Sequence, residues 1–304
     1  MQLGMVGLGR MGANMAVRLR EAGHEVVGFD RDPSLSDVGS LADVVAALSP
    51  PRVVWLMVPA HVTQAVVDQL GGLLAAGDIV VDGGNSRYTD DEPRARQLAE
   101  RGIRYGDCGV SGGVWGRQYG YGLMVGGAPE DIRQLMPIFE ALKPPGEFGF
   151  VHAGPVGAGH YAKMVHNGIE YGLMQAYAEG YAVLRESKLV TDVPGVFRSW
   201  RSGTVVRSWL LDLLADALAE DPGLEGLQAY VEDTGEGRWT VEEAIRLGVP
   251  LSVITAALYA RFASREEDSP ALKAVAALRR QFGGHAVRFE DVEPGKPGPV
   301  VKVE

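Results

Sequence analysis

The densest chemistry in the chain lies in the run Gly159-His160-Tyr161-Ala162-Lys163-Met164-Val165-His166-Asn167-Gly168-Ile169-Glu170-Tyr171. Lys163, Asn167, Glu170 and Tyr171 stand at i, i+4, i+7 and i+8, which puts them on one face of a helix, with His166 at its edge. An amine and a carboxyl on one face can serve as base and acid once their surroundings tune them. The same spacing also makes an ordinary surface salt-bridge stripe. Against the stripe stand the Asn, His and Tyr sharing the face, and Gly168. A glycine costs a helix interior about 1 kcal/mol relative to alanine, so it marks close approach to another element.

Two glycine-rich runs, Asp82-Gly83-Gly84-Asn85-Ser86 and Asp107-Cys108-Gly109-Val110-Ser111-Gly112-Gly113, each follow a strand-like segment. Glycine there exposes backbone N–H groups that suit carboxylates or hydroxyls, although each run taken alone reads equally as a tight turn. Nearer the start, Gly7-Leu8-Gly9-Arg10-Met11-Gly12 has the form GxGxxG after an apolar strand and at the opening of a helix. Its glycines allow a tight turn, backbone approach to a pyrophosphate and close helix–strand packing, with the phosphates at the positive end of the helix. Asp30 ends the second strand, where a carboxylate accepts hydrogen bonds from the ribose hydroxyls of NAD and repels a 2′-phosphate. Arg31 is suited to that phosphate, so NAD is favoured with NADP as the alternative. Asp30-Arg31-Asp32-Pro33 also reads as a solvated turn.

These residues need elements to hold them. Apolar runs at Leu3–Gly7, His24–Asp30, Arg52–Val58, Ile79–Asp82, Arg104–Cys108, Leu123–Gly126 and Phe148–Val151 predict strands, with amphipathic helices such as Met11–Arg20 and Val62–Leu74 between the early ones. Strands joined by crossover helices predict a parallel, doubly wound sheet of Rossmann type, whose ligands sit beyond the strand C-termini. A helix is predicted from Ala158 to Ser187, and further helices broken at Pro194, Pro222 and Pro250 reach about Phe282. The expected architecture is an α/β dinucleotide-binding domain over residues 1–155, an all-α C-terminal domain over 156–289, and an extended tail over 290–304.

Of 304 residues, 46% are apolar and 22% charged, ordinary for a globular chain. The net charge of −10 argues against nucleic acid or an anionic membrane as partner, so any anionic ligand requires a local cationic cluster. Cys108 is the one cysteine, and no apolar run approaches membrane-spanning length, so a cytoplasmic protein is expected. The sequence offers no metal-ligand cluster of the usual spacing, and no metal is expected.

The runs GLGRMG, DGGNS, DCGVSGG and GAGHYAKMVHNGIEYG resemble those of 6-phosphogluconate dehydrogenases, in the same order and at compatible spacings over nearly the whole chain. The chain resembles the short form, which lacks a large part of the helical domain of the longer enzymes. The resemblance implies oxidative decarboxylation of 6-phosphogluconate to ribulose 5-phosphate, with Lys163 as general base and Glu170 as general acid. It implies substrate contacts at Asn85, Ser111, Gly112, Gly113, His166, Asn167 and Tyr171. Cofactor contacts are implied at Gly7, Leu8, Gly9, Arg10, Met11, Gly12, Asp30, Arg31, Val58, Pro59, Ala60 and Asn85.

Arg261 matches a phosphate-binding arginine of the family. Arg279 and His285 match a C-terminal pair that in the long enzymes enters the partner subunit's site. The sequence departs at Asp233-Thr234-Gly235-Glu236-Gly237, a loop where the long enzymes carry a phosphate-contacting lysine; Arg238 is the substitute at hand. The long apolar-rich helix and the family together imply a homodimer or homotetramer. Two rivals share parts of the pattern. A non-decarboxylating β-hydroxyacid dehydrogenase has a similar lysine but no need of a phosphate cluster, and a non-catalytic NAD(H)-binding regulator has no need of an acid–base helix.

Overall fold

The computed structural model describes residues 1–283. Strands β1 (Gln2–Val6), β2 (Glu25–Phe29), β3 (Val53–Leu56) and β4 (Ile79–Asp82) alternate with helices α1 (Arg10–Glu21), α2 (Leu41–Ala47) and α3 (Ala60–Leu73). Then come α4 (Asp91–Ala99), β5 (Arg104–Ser111), the single turn α5 (Gly116–Tyr119), β6 (Gly122–Gly126), α6 (Pro129–Leu142) and β7 (Phe150–Gly154). Helices α7 (Ala158–Glu186), α8 (Val193–Trp200), α9 (Trp209–Glu220), α10 (Glu236–Leu247), α11 (Ser252–Ala263) and α12 (Pro270–Gly283) complete the described chain. His285 and the predicted tail 290–304 lie outside the described residues.

Among the described residues the strands form one sheet in the order β2-β1-β3-β4-β5-β6-β7. The chain runs from β1 out to β2 and then crosses back to β3, so its direction of travel reverses between β1 and β3, which opens a crevice at their C-terminal ends. Both faces are covered. Trp55, Ile79 and Val81 enter one core with Leu3, Met15 and Phe139, while Val54, Leu56 and Val80 enter the other with Val44, Leu70 and Leu98. This two-residue alternation within uninterrupted apolar strands is what a sheet buried on both sides requires.

The sheet is parallel, as expected, except at one place: β6 runs antiparallel to β5, pairing Asp107 with Gly126 and Ser111 with Gly122. Residues 112–121 hold only a 3₁₀ turn (Gly113–Trp115) and α5, too little chain for a crossover back to the same edge. β5 also runs on to Ser111, beyond the predicted Cys108, so Gly109 and Val110 are strand residues.

Helix α7 matches the predicted span to within one residue. Its first half lies on β5, β6 and β7 and meets α10, and its second half packs against α8 and α9. There Tyr177, Tyr181 and Leu184 meet a core of Phe197, Leu211, Ala215 and Leu218. Pro194 starts α8 where a break was expected, because proline in a first turn loses no helical hydrogen bond. No helix among the described residues is long and apolar enough to cross a membrane.

Candidate active site

A cleft of about 1330 Å³ begins at the loop between β1 and α1, crosses the C-terminal ends of β3, β4 and β5, and ends between α7, α10 and α11. Gly7, Gly9, Met11, Asp30, Arg31, Val58, Pro59, Ala60 and Asn85 line its first part. Ser111, Gly112, Gly113, Lys163, His166, Asn167, Glu170, Tyr171 and Arg261 line the remainder. Four expected residues do not line it. The Leu8 side chain is buried in the core, Arg10 is exposed, and Arg279 is exposed on α12. Gly12 faces the sheet: a Cβ there would lie 1.9 Å from the Gly7 carbonyl oxygen, so its part is to let α1 pack on β1.

At the first end, Gly7 turns the chain at φ +94°. Gly9 precedes α1, whose first turn carries no acidic residue and receives no side-chain cap, leaving its N–H groups for an anion. A Cβ on Gly9 would meet nothing within 4 Å, so the backbone there borders open cleft. Asp30 accepts hydrogen bonds from the Leu8 amide (2.7 Å, Oδ2) and the Asp32 amide (3.0 Å, Oδ1), which fastens the end of β2 to the glycine loop. The bare helix terminus, the open glycine and the carboxylate at the strand end fit a dinucleotide.

At the other end the predicted helix face is assembled around an imidazole. His166 Nε2 lies 3.3 Å from Ser111 Oγ, and its Nδ1 lies 3.4 Å from Lys163 Nζ, 3.3 Å from Asn167 Oδ1 and 3.5 Å from Glu170 Oε2. Burial pushes the Lys163 pKa down, against the pull of the Glu170 and Glu236 carboxylates. Burial and then the Lys163 charge lower His166 as well, opposed by the Asn167 hydrogen bond and by Glu170. The Arg261 guanidinium sits 3.4 Å over the Tyr171 ring and donates to the Glu232 carbonyl at 3.0 Å. The buried Tyr171 hydroxyl has no hydrogen-bond partner among the described residues.

Close backbone approach holds this face in place. A Cβ on Gly109 would lie 2.3 Å from Lys163 Cβ, so β5 seats the lysine directly. A Cβ on Gly168 would lie 2.8 Å from Thr240 Cγ2, which identifies α10 as the element that the mid-helix glycine admits.

Sequence reasoning missed the polar network beneath the helix. Asp107, wholly buried, accepts from the Gly157 amide at 2.6 Å and the His160 amide at 2.8 Å, and so caps α7 from the sheet. His160 Nδ1 meets Asp91 at 2.8 Å, Tyr105 donates to Asp91 at 2.8 Å, and Arg94 and Ser86 hold Asp82 at 3.2 and 2.6 Å. Asp82, Asp91 and His160 thus form the described cluster with metal-ligand types, but these contacts make it an ion-pair network. The signal in the sequence was an aspartate leading each glycine run, Asp82 and Asp107. Arg238, the candidate substitute for the missing lysine, does not line the cleft: it is ion-paired with Asp233 at 2.6 Å and lies over Phe262.

Comparison with known proteins gives the family. Residues 2–144 match the NAD-binding domain of 6-phosphogluconate dehydrogenase, and residues 159–291 match the C-terminal domain of the same enzyme. The NAD(+)-dependent, decarboxylating 6-phosphogluconate dehydrogenase of Haloferax volcanii is 41% identical over 96% of this chain and 100% of its own. A decarboxylating 6-phosphogluconate dehydrogenase of Staphylococcus aureus is 37% identical over 95% of this chain but 67% of its own, the ratio of a short form to a long one. Among solved structures, Plasmodium falciparum 6-phosphogluconate dehydrogenase superposes with a TM-score of 0.79 at 27% identity, over 96% of this chain and 67% of that one. Mycobacterium tuberculosis 3-hydroxyisobutyrate dehydrogenase shares the fold at a TM-score of 0.69 and 23% identity, over 91% of this chain and 99% of its own. Matched along both halves, the chain belongs to the 6-phosphogluconate dehydrogenase family.

Proposed function

We propose that this chain oxidises and decarboxylates 6-phospho-D-gluconate to D-ribulose 5-phosphate and carbon dioxide, with NAD preferred over NADP. The observation that carries the reading is the set Lys163, His166, Asn167 and Glu170, joined within 3.5 Å contacts on the wall of a cleft that also contains the glycine loop and Asp30. Gly7, Gly9, Asp30, Val58, Pro59 and Ala60 would hold the dinucleotide. When bound, it supplies the acceptor for the hydride leaving substrate C3.

Lys163, whose ammonium burial disfavours, takes the proton of the 3-hydroxyl. Once charged, it stands beside the new carbonyl oxygen and stabilises the electrons left there when carbon dioxide departs. Glu170 then delivers a proton to substrate C2, which becomes C1 of ribulose 5-phosphate. His166 bridges the two by its contacts with both. Arg261, with Arg279 and His285, is assigned to the phosphate, and Asn85, Ser111, Gly112, Gly113, Asn167 and Tyr171 to the sugar acid. We assign residues 1–155 to the dinucleotide domain and 156–289 to the substrate and assembly domain of a cytoplasmic homodimer or homotetramer.

The test is a matrix of kcat/KM over substrates and cofactors. Charge-assisted phosphate contacts are individually strong, so unphosphorylated gluconate should lose at least about 100-fold against 6-phosphogluconate. NAD should outperform NADP, and Asp30→Ser should narrow that gap with Arg31 still present. Equal rates on gluconate contradict the phosphate assignment, and a wild-type preference for NADP contradicts that of Asp30.

A further inference from the structure

We propose that Glu236 is a third member of the acid–base set, a buried carboxylate that faces Lys163 across the cleft and governs when that lysine gives up its proton. The proposal rests on the reading of Lys163 as the base. Glu236 stands in the acidic loop where a phosphate-contacting lysine was expected. It is 4% exposed, yet it lines the cleft together with Lys163, Glu170, Tyr171 and Arg261.

Its position is over-determined. The side chain is held by the Thr234 hydroxyl, which donates to Oε2 at 2.6 Å. As the first residue of α10, its negative charge is favoured by the helix N-terminus. One turn on, the Thr240 hydroxyl lies 2.8 Å from the Glu236 carbonyl oxygen and 2.8 Å from that of Met164, the neighbour of Lys163. That single hydroxyl ties the backbone of the carboxylate to the backbone of the lysine. A Cβ on Gly237 would lie 2.4 Å from the Tyr171 ring, so α10 has no slack against α7.

A buried carboxylate is costly without a counter-charge. Two cations line this end of the cleft with it: Arg261, which lies over the Tyr171 ring and donates to the Glu232 carbonyl, and Lys163. The charged and titratable groups that line this end of the cleft with Lys163 are His166 and Glu170 on α7, Glu236 on α10 and Arg261 on α11, beside the neutral Asn85 in the loop after β4 and Ser111 at the end of β5. Asp107 lies behind, committed to the start of α7. Burial lowers the Lys163 pKa, and Glu170 and Glu236 both oppose it. Turnover needs both forms of the lysine, neutral to accept the hydroxyl proton and charged to support decarboxylation. Glu236 favours the second.

The ionisation of Lys163 can be read without catalysis, from the pH dependence of its labelling by acetic anhydride, quantified by peptide mass spectrometry. The pH profile of kcat/KM for 6-phosphogluconate is taken alongside. In Glu236→Gln the labelling midpoint should fall by about half a pH unit or more, because a nearby negative charge is gone. The rising limb of kcat/KM should fall with it. Glu236→Asp keeps the charge and should restore the midpoint toward wild type, a recovery that a merely structural role does not produce. Thr234→Val, which frees the carboxylate, should shift the midpoint in the same direction as Glu236→Gln by less, and it carries the test should Glu236→Gln not fold. An unmoved midpoint in whichever of the two variants folds and binds NADH overturns the proposal. A moved midpoint with an unmoved kcat/KM limb upholds the coupling of Glu236 to Lys163 but overturns the reading of Lys163 as the base, and with it the place of Glu236 in the acid–base set.

Discussion

A lysine with its ordinary pKa near 10.4 is neutral in roughly one molecule in 2,500 at pH 7, so Lys163 can act as a base only where its surroundings disfavour the ammonium. The structure supplies that through burial, with Glu170 and Glu236 limiting how far the pKa falls. Lys163→Arg should therefore lower kcat by about 10²–10⁴-fold despite conserving charge, since a guanidinium stays protonated. Glu170→Gln should lower kcat over a similar range with cofactor binding intact. Near-wild-type turnover in steady-state assays of either variant would remove that residue from the acid–base pair. The shared face was legible because one helix carries it: a spacing of i, i+4 and i+7 survives any detail of tertiary structure, while the division into base and acid came from the family resemblance. Glu236 was not, because its nearness to Lys163 is made by the docking of α10 on α7, and nothing in local spacing encodes it.

At the level of elements, the site depends on how α7 is seated. Its N-terminus is capped by Asp107 from β5, and its first turn is tied to α4 by the buried Asp91–His160 pair. Burial alone would lower the His160 pKa, but the hydrogen bond and charge of Asp91, with Asp82 and Asp107 nearby, hold it up at about 9. Burial also raises Asp91, to about 6, so between those values the pair carries opposite charges. A histidine whose folded pKa exceeds its unfolded value of about 6.5 stabilises the fold fully below 6.5, and that contribution is lost as pH rises through about 9. Denaturant unfolding should thus show a loss of about 2 kcal/mol from this pair between pH 7 and pH 10. His160→Gln should be less stable than wild type at pH 7 and flatter in pH. An equal slope in the variant would assign the pH dependence elsewhere. The strands and α7 were legible from apolar runs and the absence of proline. The reversed β6 was not, because a strand pattern does not state its direction; the short link from Ser111 to Gly122 does.

For the whole molecule, the cleft joins two halves, a sheet edge to which we assign the cofactor and a helical wall to which we assign the acid and base. Gly109 and Gly168 bring the sheet and α10 against opposite sides of α7, so a change in either packing moves Lys163. Arg261 lines the cleft, whereas Arg279 is exposed on α12 beside the exposed Leu272, Val275 and Leu278, in keeping with the assembly proposed above. Their assignment to the phosphate rests on family resemblance, since an arginine near a helix end is ordinarily just solvated. The central claim is that one cleft couples hydride removal at C3 to loss of C1. It is tested most directly by incubating the purified chain with 6-phosphogluconate labelled at C1 and NAD, and measuring NADH and released labelled carbon dioxide together. The account predicts equal molar amounts of the two throughout the progress curve. NADH formation with the label retained in a keto acid would contradict it and make the chain a non-decarboxylating dehydrogenase.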